Sequence, residues 1–189
     1  MNTPGGDLPH FDAAARPFWK FERPRSAGSG LGKRLVEVHD HIRQETGKLL
    51  EAVAGVVGGR VAPEAARSAL KALSLRQNYP GLGGFCTGYC ELLHIHHTLE
   101  DTRVFPGLGV AHPELNPVLK QLYAEHEVVA ELILRLDETL AAGEDARGRL
   151  AHVSRRLADQ LLSHLAYEES QLVEVLESTP GQPGGPPAS

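Results

Sequence analysis

The amino-acid sequence predicts an all-α protein, an up-and-down four-helix bundle with one extra short helix and irregular tails. Along four long segments, apolar residues recur at steps of three and four, which is the period of an amphipathic helix. No stretch alternates apolar and polar residues for long enough to indicate a strand. Short links join the segments, and short links favour antiparallel packing of neighbouring helices.

The first long helix is expected from about residue 32 to residue 57, where Gly58 and Gly59 stop it. The extra short helix is expected over residues 63–77, because a proline stands at its first position. A turn over residues 78–81 follows it. The apolar stripe of the first helix consists of Leu35, Val38, Ile42, Leu49 and Val53.

The second long helix is expected to begin near Leu82 or Phe85 and to end before Pro106. The third spans about residues 113–141 and the fourth about residues 144–177, with Ala142 and Gly143 between them. The apolar stripes of these last two helices are Leu115, Leu119, Leu122, Val129, Ile133 and Leu136, and Leu150, Val153, Leu157, Leu161, Leu172 and Val175.

One domain, residues 31–178, is expected between two tails. Residues 1–30 are rich in proline and end in SAGSG, which is typical of an irregular N-terminal arm. Its PFWKF segment is expected to dock on the bundle, since one Trp and two Phe are costly to leave in water. Residues 179–189 are dominated by Gly and Pro and are expected to be a disordered tail.

Composition excludes several classes of protein. The chain has 189 residues and a net charge of −5, from 19 basic and 24 acidic residues, and phosphate binding needs a basic face. Nucleic acid is therefore not an expected partner. No apolar run reaches the ~20 residues of a membrane span, and the N-terminus lacks the pattern of a signal peptide. Two Cys give no disulfide framework, and a cytoplasmic location is expected.

Polar residues interrupt the apolar stripes at matching places on the four helices. His96 and Glu100 are four apart in the second helix, and so are His164 and Glu168 in the fourth. Residues four apart lie on one helix face, about 6 Å apart along the axis. Both pairs are in phase with apolar residues, so both are expected to face the core.

The first and third helices each add a histidine. His126 lies on the stripe of the third helix, and His39 lies four after Leu35 in the first. His41 aligns instead with the charged face, so His39 is the expected inward residue. His97, beside His96, lies at the inward edge of the second helix.

A metal ion would satisfy these buried polar groups, which are costly to bury without partners. Imidazole with carboxylate suits iron, zinc or manganese and does not suit calcium or magnesium. A single inward histidine is more often a satisfied core residue, and a single HxxxE pair is more often a surface pair. The coincidence of in-phase ligands on four helices favours a metal site. The neighbouring acids Asp101, Glu125, Glu127 and Glu169 are expected to be solvated charges rather than partners of the His rings.

The pattern resembles the hemerythrin-like family, or HHE cation-binding domains, of bacterial type. The family signature is a His on the first helix, HxxxE on the second, a His on the third, and HxxxE or HxxxxD on the fourth. The strings EVHDHIR, HHTLEDTRVFP and HLAYEES also resemble the family's, and the resemblance covers roughly residues 31–177. The matching residues are His39, His96, Glu100, His126, His164 and Glu168.

The resemblance implies a hemerythrin-type bundle with two iron ions, a non-haem, oxo- or hydroxo-bridged diiron centre spanned by Glu100 and Glu168. One feature departs from the family pattern. Oxygen-carrying members have HxxxH on the third helix, whereas Ala130 stands four after His126 here. His97 is the best substitute ligand, and Tyr123, Tyr167 and Glu131 are weaker candidates. If none of them binds, one iron has an extra open position.

The sequence leaves three functions open, all with small molecules (O2, H2O2 or NO) as partners. The centre could handle peroxide or nitric oxide in the manner of a catalase, a peroxidase or an NO-oxidising enzyme. It could bind or sense O2 or NO reversibly, or it could serve iron handling or a structural metal. The missing ligand on the third helix favours the first function. The sequence does not indicate an oligomeric state.

Overall fold

Four long helical segments run antiparallel in the computed structural model, which describes residues 8–21, 28–61, 87–142 and 147–178. The predicted all-α, up-and-down bundle is confirmed, and these ranges contain no strand. The predicted short helix over 63–77, the turn over 78–81 and the tail over 179–189 lie outside the described residues. The helices are α1 (Leu31–Val57), α2 (Thr87–Leu99), α3 (Phe105–Ala111), α4 (Asn116–Ala141) and α5 (Arg147–Ser178).

The predicted end of the second long helix before Pro106 is wrong. The helical path of α2 continues through a π-helical turn, Glu100–Val104, directly into α3. The N–H of Phe105 donates to the carbonyl oxygen of Glu100, five residues back. Pro106, in the first turn of α3, has no N–H to donate back into the π-helical turn, and the carbonyl oxygen of Asp101, five residues before it, accepts the hydroxyl of Tyr123.

Two apolar clusters fill the bundle, one toward each end. One cluster includes Ile42, Leu93 and Leu161, and the other includes Phe105, Leu122 and Leu172. Between them every long segment crosses a buried polar layer, which carries the predicted His and Glu side chains. The apolar clusters hold the four helices in register and therefore fix the height at which these side chains meet.

Helices α1 and α5 approach each other closely at one end of the bundle. A Cβ atom on Gly32 would lie 2.5 Å from the carbonyl oxygen of Val173, so only glycine fits there. The carboxylate of Glu177 accepts the N–H groups of Gly30 and Lys33, at 3.0 and 2.9 Å. A negative charge at a helix N-terminus satisfies donors that have no partner within the helix.

Residues 8–21 lie along the bundle as an extended arm with a single 3-10 turn, Ala13–Ala15. The amide N–H groups of Phe11 and Trp19 donate to the side chains of Gln160 and Gln171 on α5, at 2.7 and 2.8 Å. Trp19 packs against the apolar cluster around Phe105 and Leu172, whereas Phe18 is exposed. The arm is therefore anchored to α5 by both hydrogen bonds and apolar contact.

None of the helices in the described part of the chain is long and apolar enough to cross a membrane.

Candidate metal centre

All seven side chains predicted as metal ligands lie together in the buried polar layer. They form two groups of facing donor atoms, each within 4.8 Å of one another. The three-histidine group consists of His97, His126 and His164. The mixed group consists of His39, His96, Glu100 and Glu168.

The two glutamates stand between the groups. One oxygen of Glu100 lies 3.3 Å from Nε2 of His96, and its other oxygen lies 3.7 Å from Nε2 of His126. Oε2 of Glu168 lies 3.4 Å from Nε2 of His39 and 3.5 Å from Nε2 of His164. Each carboxylate therefore contacts one histidine of each group, which is the arrangement needed to bridge two cations.

The histidine rings are held in place by an outer set of carboxylates. Nδ1 of His39 donates to Glu169 at 2.9 Å and Nδ1 of His126 donates to Asp101 at 2.8 Å. Nδ1 of His164 donates to Glu125 at 3.1 Å. Because an ionised carboxylate only accepts, the proton of each neutral ring lies on Nδ1 and the Nε2 lone pair faces the site.

Asp101, Glu125 and Glu169 were expected to be solvated charges, and that expectation is wrong. Each lies one residue before or after an inward His or Glu, where helix packing turns it toward a ring edge on another helix. Only Glu127, the fourth of these acids, is exposed. Burial alone would raise the pKa of Glu125, but hydrogen bonds from His164, Arg16 and Gln121 outweigh burial and lower it. Glu125 is therefore an ionised acceptor despite its burial.

Of the candidates for the ligand missing from the third helix, only His97 belongs to a group of facing donor atoms. His97 stacks on His126 with ring centroids 3.9 Å apart and joins the three-histidine group. Ala130 lies on the exposed face of α4, so that position does not face the site. The hydroxyls of Tyr123 and Tyr167 donate to the backbone carbonyls of residues 101 and 17, and Glu131 pairs with Arg135. His41 lies outside both groups of facing donor atoms, as expected.

Six buried side-chain atoms in this layer have no hydrogen-bond partner among the described residues. A buried polar atom without a partner costs about 1–3 kcal/mol, so six in one place point to a ligand that satisfies them together. The atoms belong to five of the seven predicted ligands: His97, Glu100, His126, His164 and Glu168, which contributes both oxygens.

The protonation of the layer also suits a cation. Burial lowers the pKa of His96 to about 3 and that of His97 well below its usual value, so both rings are neutral at neutral pH. Burial and the charge of Glu168 raise the pKa of Glu100. Burial would raise the pKa of Glu168 too, but the close approach of the His39 and His164 rings outweighs burial and lowers it. The pKa values of these two close carboxylates are therefore shifted in opposite directions. A cation between them would offset their mutual repulsion and allow both to ionise.

The residues present fit a pair of transition-metal ions. Five imidazoles and two carboxylates are a donor set for iron, zinc or manganese rather than for calcium or magnesium. The set is too rich in histidine and too poor in carboxylate for a ferritin-like oxidase, which uses four Glu and two His.

Sequence reasoning missed the partners of the outer carboxylates, among them Arg16 of the arm. Its guanidinium donates to both oxygens of Glu125, at 2.7 and 2.8 Å. The residue lies in an irregular segment 109 positions before its partner, so no periodicity signals the contact. The signal present in the sequence is weak: a basic residue beside the aromatic arm segment that was expected to dock.

The sequence comparisons agree with this arrangement. The family model of the hemerythrin HHE cation-binding domain matches residues 30–176. No match to this chain was found among curated proteins or among solved structures. With its helices, ligand pattern and match over most of the sequence in agreement, the chain belongs to the hemerythrin HHE cation-binding domain family.

Proposed function

We propose that this protein holds a non-haem diiron centre and uses it to handle peroxide or nitric oxide. The observation that carries the proposal is the pair of facing groups of buried donor atoms, in which five of the seven residues carry atoms without a hydrogen-bond partner among the described residues. In this proposal His97, His126 and His164 hold one iron, His39 and His96 hold the other, and Glu100 and Glu168 bridge them. A bound iron pair supplies electrons by changing its oxidation state.

The two positions differ in their number of protein ligands. With both glutamates bridging, the three-histidine position has five protein ligands and the mixed position has four. An extra open position at the three-histidine iron, which the sequence left possible, finds no support because His97 joins that group. The position ligated by His39 and His96 is therefore where a small molecule would bind.

Partly exposed polar side chains lead from the surface to the mixed position. His39 donates to Glu169, whose carboxylate also pairs with Arg43 at 2.8 Å. The side chains of Glu169 and Arg43 are 22% and 30% exposed, and Asp101, beside His126 of the three-histidine position, is 33% exposed. A polar path for protons at the open position favours turnover of peroxide over carriage of oxygen in a dry pocket. In disproportionation, one peroxide is oxidised to O2 and another is reduced to two waters, so no further reductant is needed.

Reversible binding of O2 or NO is the second candidate. It is favoured by the division of histidines between the two positions, three and two, which leaves open coordination at one metal only. Iron handling and a purely structural metal rank lower, because a structural site keeps no open position. A cytoplasmic location and the absence of nucleic-acid and membrane partners belong to the same proposal.

The test is to load the protein with iron under anaerobic conditions and to add O2, peroxide or NO separately. Metal-dependent loss of peroxide with evolution of half a mole of O2 per mole consumed is expected. A stable, reversible optical change with O2 and no peroxide turnover would instead establish the binding protein. Loss of peroxide at the same rate in metal-free protein would exclude the centre as its cause.

A further inference from the structure

Within the described arm residues 8–21, Arg16 is the most enclosed charged side chain. Its side chain is 10% exposed, and its partner Glu125 is 0% exposed. The guanidinium lies over the rings of Phe11 and Tyr167, with Cζ 4.7 and 4.6 Å from the ring centroids. It also donates to the hydroxyl of Ser163 at 3.0 Å. Four separate contacts therefore hold the planar group in one orientation.

That orientation fixes the carboxylate of Glu125. The guanidinium donates through Nε and Nη2 to the two carboxylate oxygens. This bidentate contact sets the plane of the carboxylate as well as its position. Gln121 adds a third hydrogen bond at 2.9 Å. Oε2 of Glu125, which accepts from Nη2 of Arg16, also accepts the N–H at Nδ1 of His164.

The chain of contacts ends at the three-histidine position. Because Nδ1 of His164 is fixed by Glu125, its Nε2 points at the donors of His97 and His126. All three outer carboxylates, Glu125, Asp101 and Glu169, lie on helical segments of the bundle. Arg43, the cation beside Glu169, lies on α1. Only Glu125, among these three, takes its cation from the arm.

We propose that Arg16 is a positioning residue of the three-histidine metal position, which couples docking of the N-terminal arm to metal binding there. The proposal rests on the proposed function, since it requires that this position binds metal. By reciprocity, arm docking strengthens metal binding and metal binding strengthens arm docking by the same factor.

The test compares Arg16→Gln, Arg16→Lys and Arg43→Gln with the unchanged protein, all loaded with zinc, which has no optical absorption to interfere. Two readouts are taken: the two successive zinc affinities, by competition with a chelator, and the emission maximum of Trp19. Trp19 is the only tryptophan and is half-buried in the docked arm, so its emission reports docking.

Arg16→Gln is expected to weaken one of the two zinc affinities by about 10-fold, the lower end of the 10–100-fold cost of losing a direct outer partner, because Glu125 itself remains. It is also expected to shift Trp19 emission to the red. Arg16→Lys keeps the charge but cannot make the bidentate contact, so an intermediate loss of zinc affinity is expected. Arg43→Gln is expected to weaken the other affinity and to leave Trp19 emission unchanged. In the unchanged protein, zinc is expected to shift Trp19 emission to the blue.

Unchanged zinc affinities in both Arg16 variants, with two zinc ions bound to the unchanged protein, would overturn the coupling and leave the proposed function standing. Equal weakening of both affinities would also overturn it, because that pattern indicates general destabilisation. If Arg16→Gln loses its helical circular dichroism, the Arg16→Lys result decides. An unchanged protein that binds no metal would instead overturn the proposed function itself.

Discussion

At the scale of single residues, position on a helix decides which histidine can be a ligand. His97 is buried and stacked on His126, whereas His94, three residues earlier on α2, is exposed. The apolar period predicted the inward residues because burial follows helix phase. It could not predict that Asp101, Glu125 and Glu169 orient the rings. That role depends on the ring edge presented by another helix, which sequence spacing does not encode.

Replacing His97 by Ala is expected to weaken metal binding at the three-histidine position by at least about 100-fold, beyond the 10–100-fold typical of an outer partner. The ring supplies one of the three nitrogens of that group, and Ala supplies none. His94→Ala is the matched control and should leave both affinities unchanged. Chelator competition measures both variants. Two unaltered affinities in His97→Ala would show that this ring is not a ligand.

At the scale of helices, the π-helical turn marks the limit of prediction from periodicity. Glu100 and Phe105 are both buried although they are five residues apart, a spacing that an α-helix does not place on one face. The extra residue in the π-helical turn rotates α3 about the helix axis. Phe105 and Leu108 of α3 can therefore be buried in the second apolar cluster. Proline two residues after Val104 suggested a helix end, because proline usually ends a helix unless it falls in a first turn.

Two glycines of α1 should respond to alanine with opposite signs. Gly47 is exposed, and a methyl group added there would meet no atom within 4 Å. Gly47→Ala should therefore raise the free energy of unfolding by about 0.5–1 kcal/mol, because alanine restricts the unfolded chain. Gly32→Ala should lower it by about 1–3 kcal/mol, because the methyl would overlap Val173 of α5. Urea unfolding of metal-free protein measures both. A stabilising Gly32→Ala would contradict the close packing of α1 on α5.

At the scale of the whole molecule, the bundle buries a polar layer between two apolar clusters, and a bound metal should stabilise the fold. A ligand at 100 times its dissociation constant adds about 2.7 kcal/mol, and each kcal/mol shifts Tm by about 2–4 °C in a chain of this size. Iron or zinc should therefore raise Tm by about 5–10 °C for each position filled. Calcium, which prefers oxygen ligands, is the control and should not. Equal shifts with calcium and zinc in a thermal scan would contradict a histidine-rich site.

The most direct test of the central claim is the iron content of the reconstituted protein, measured together with its optical spectrum. Two iron ions per chain, one for each group of donors, with near-ultraviolet bands of a bridged iron pair, are the expected result. One zinc ion per chain, or no metal after reconstitution with iron, would contradict the diiron centre. The buried His and Glu residues would then be a structural network within a helical bundle.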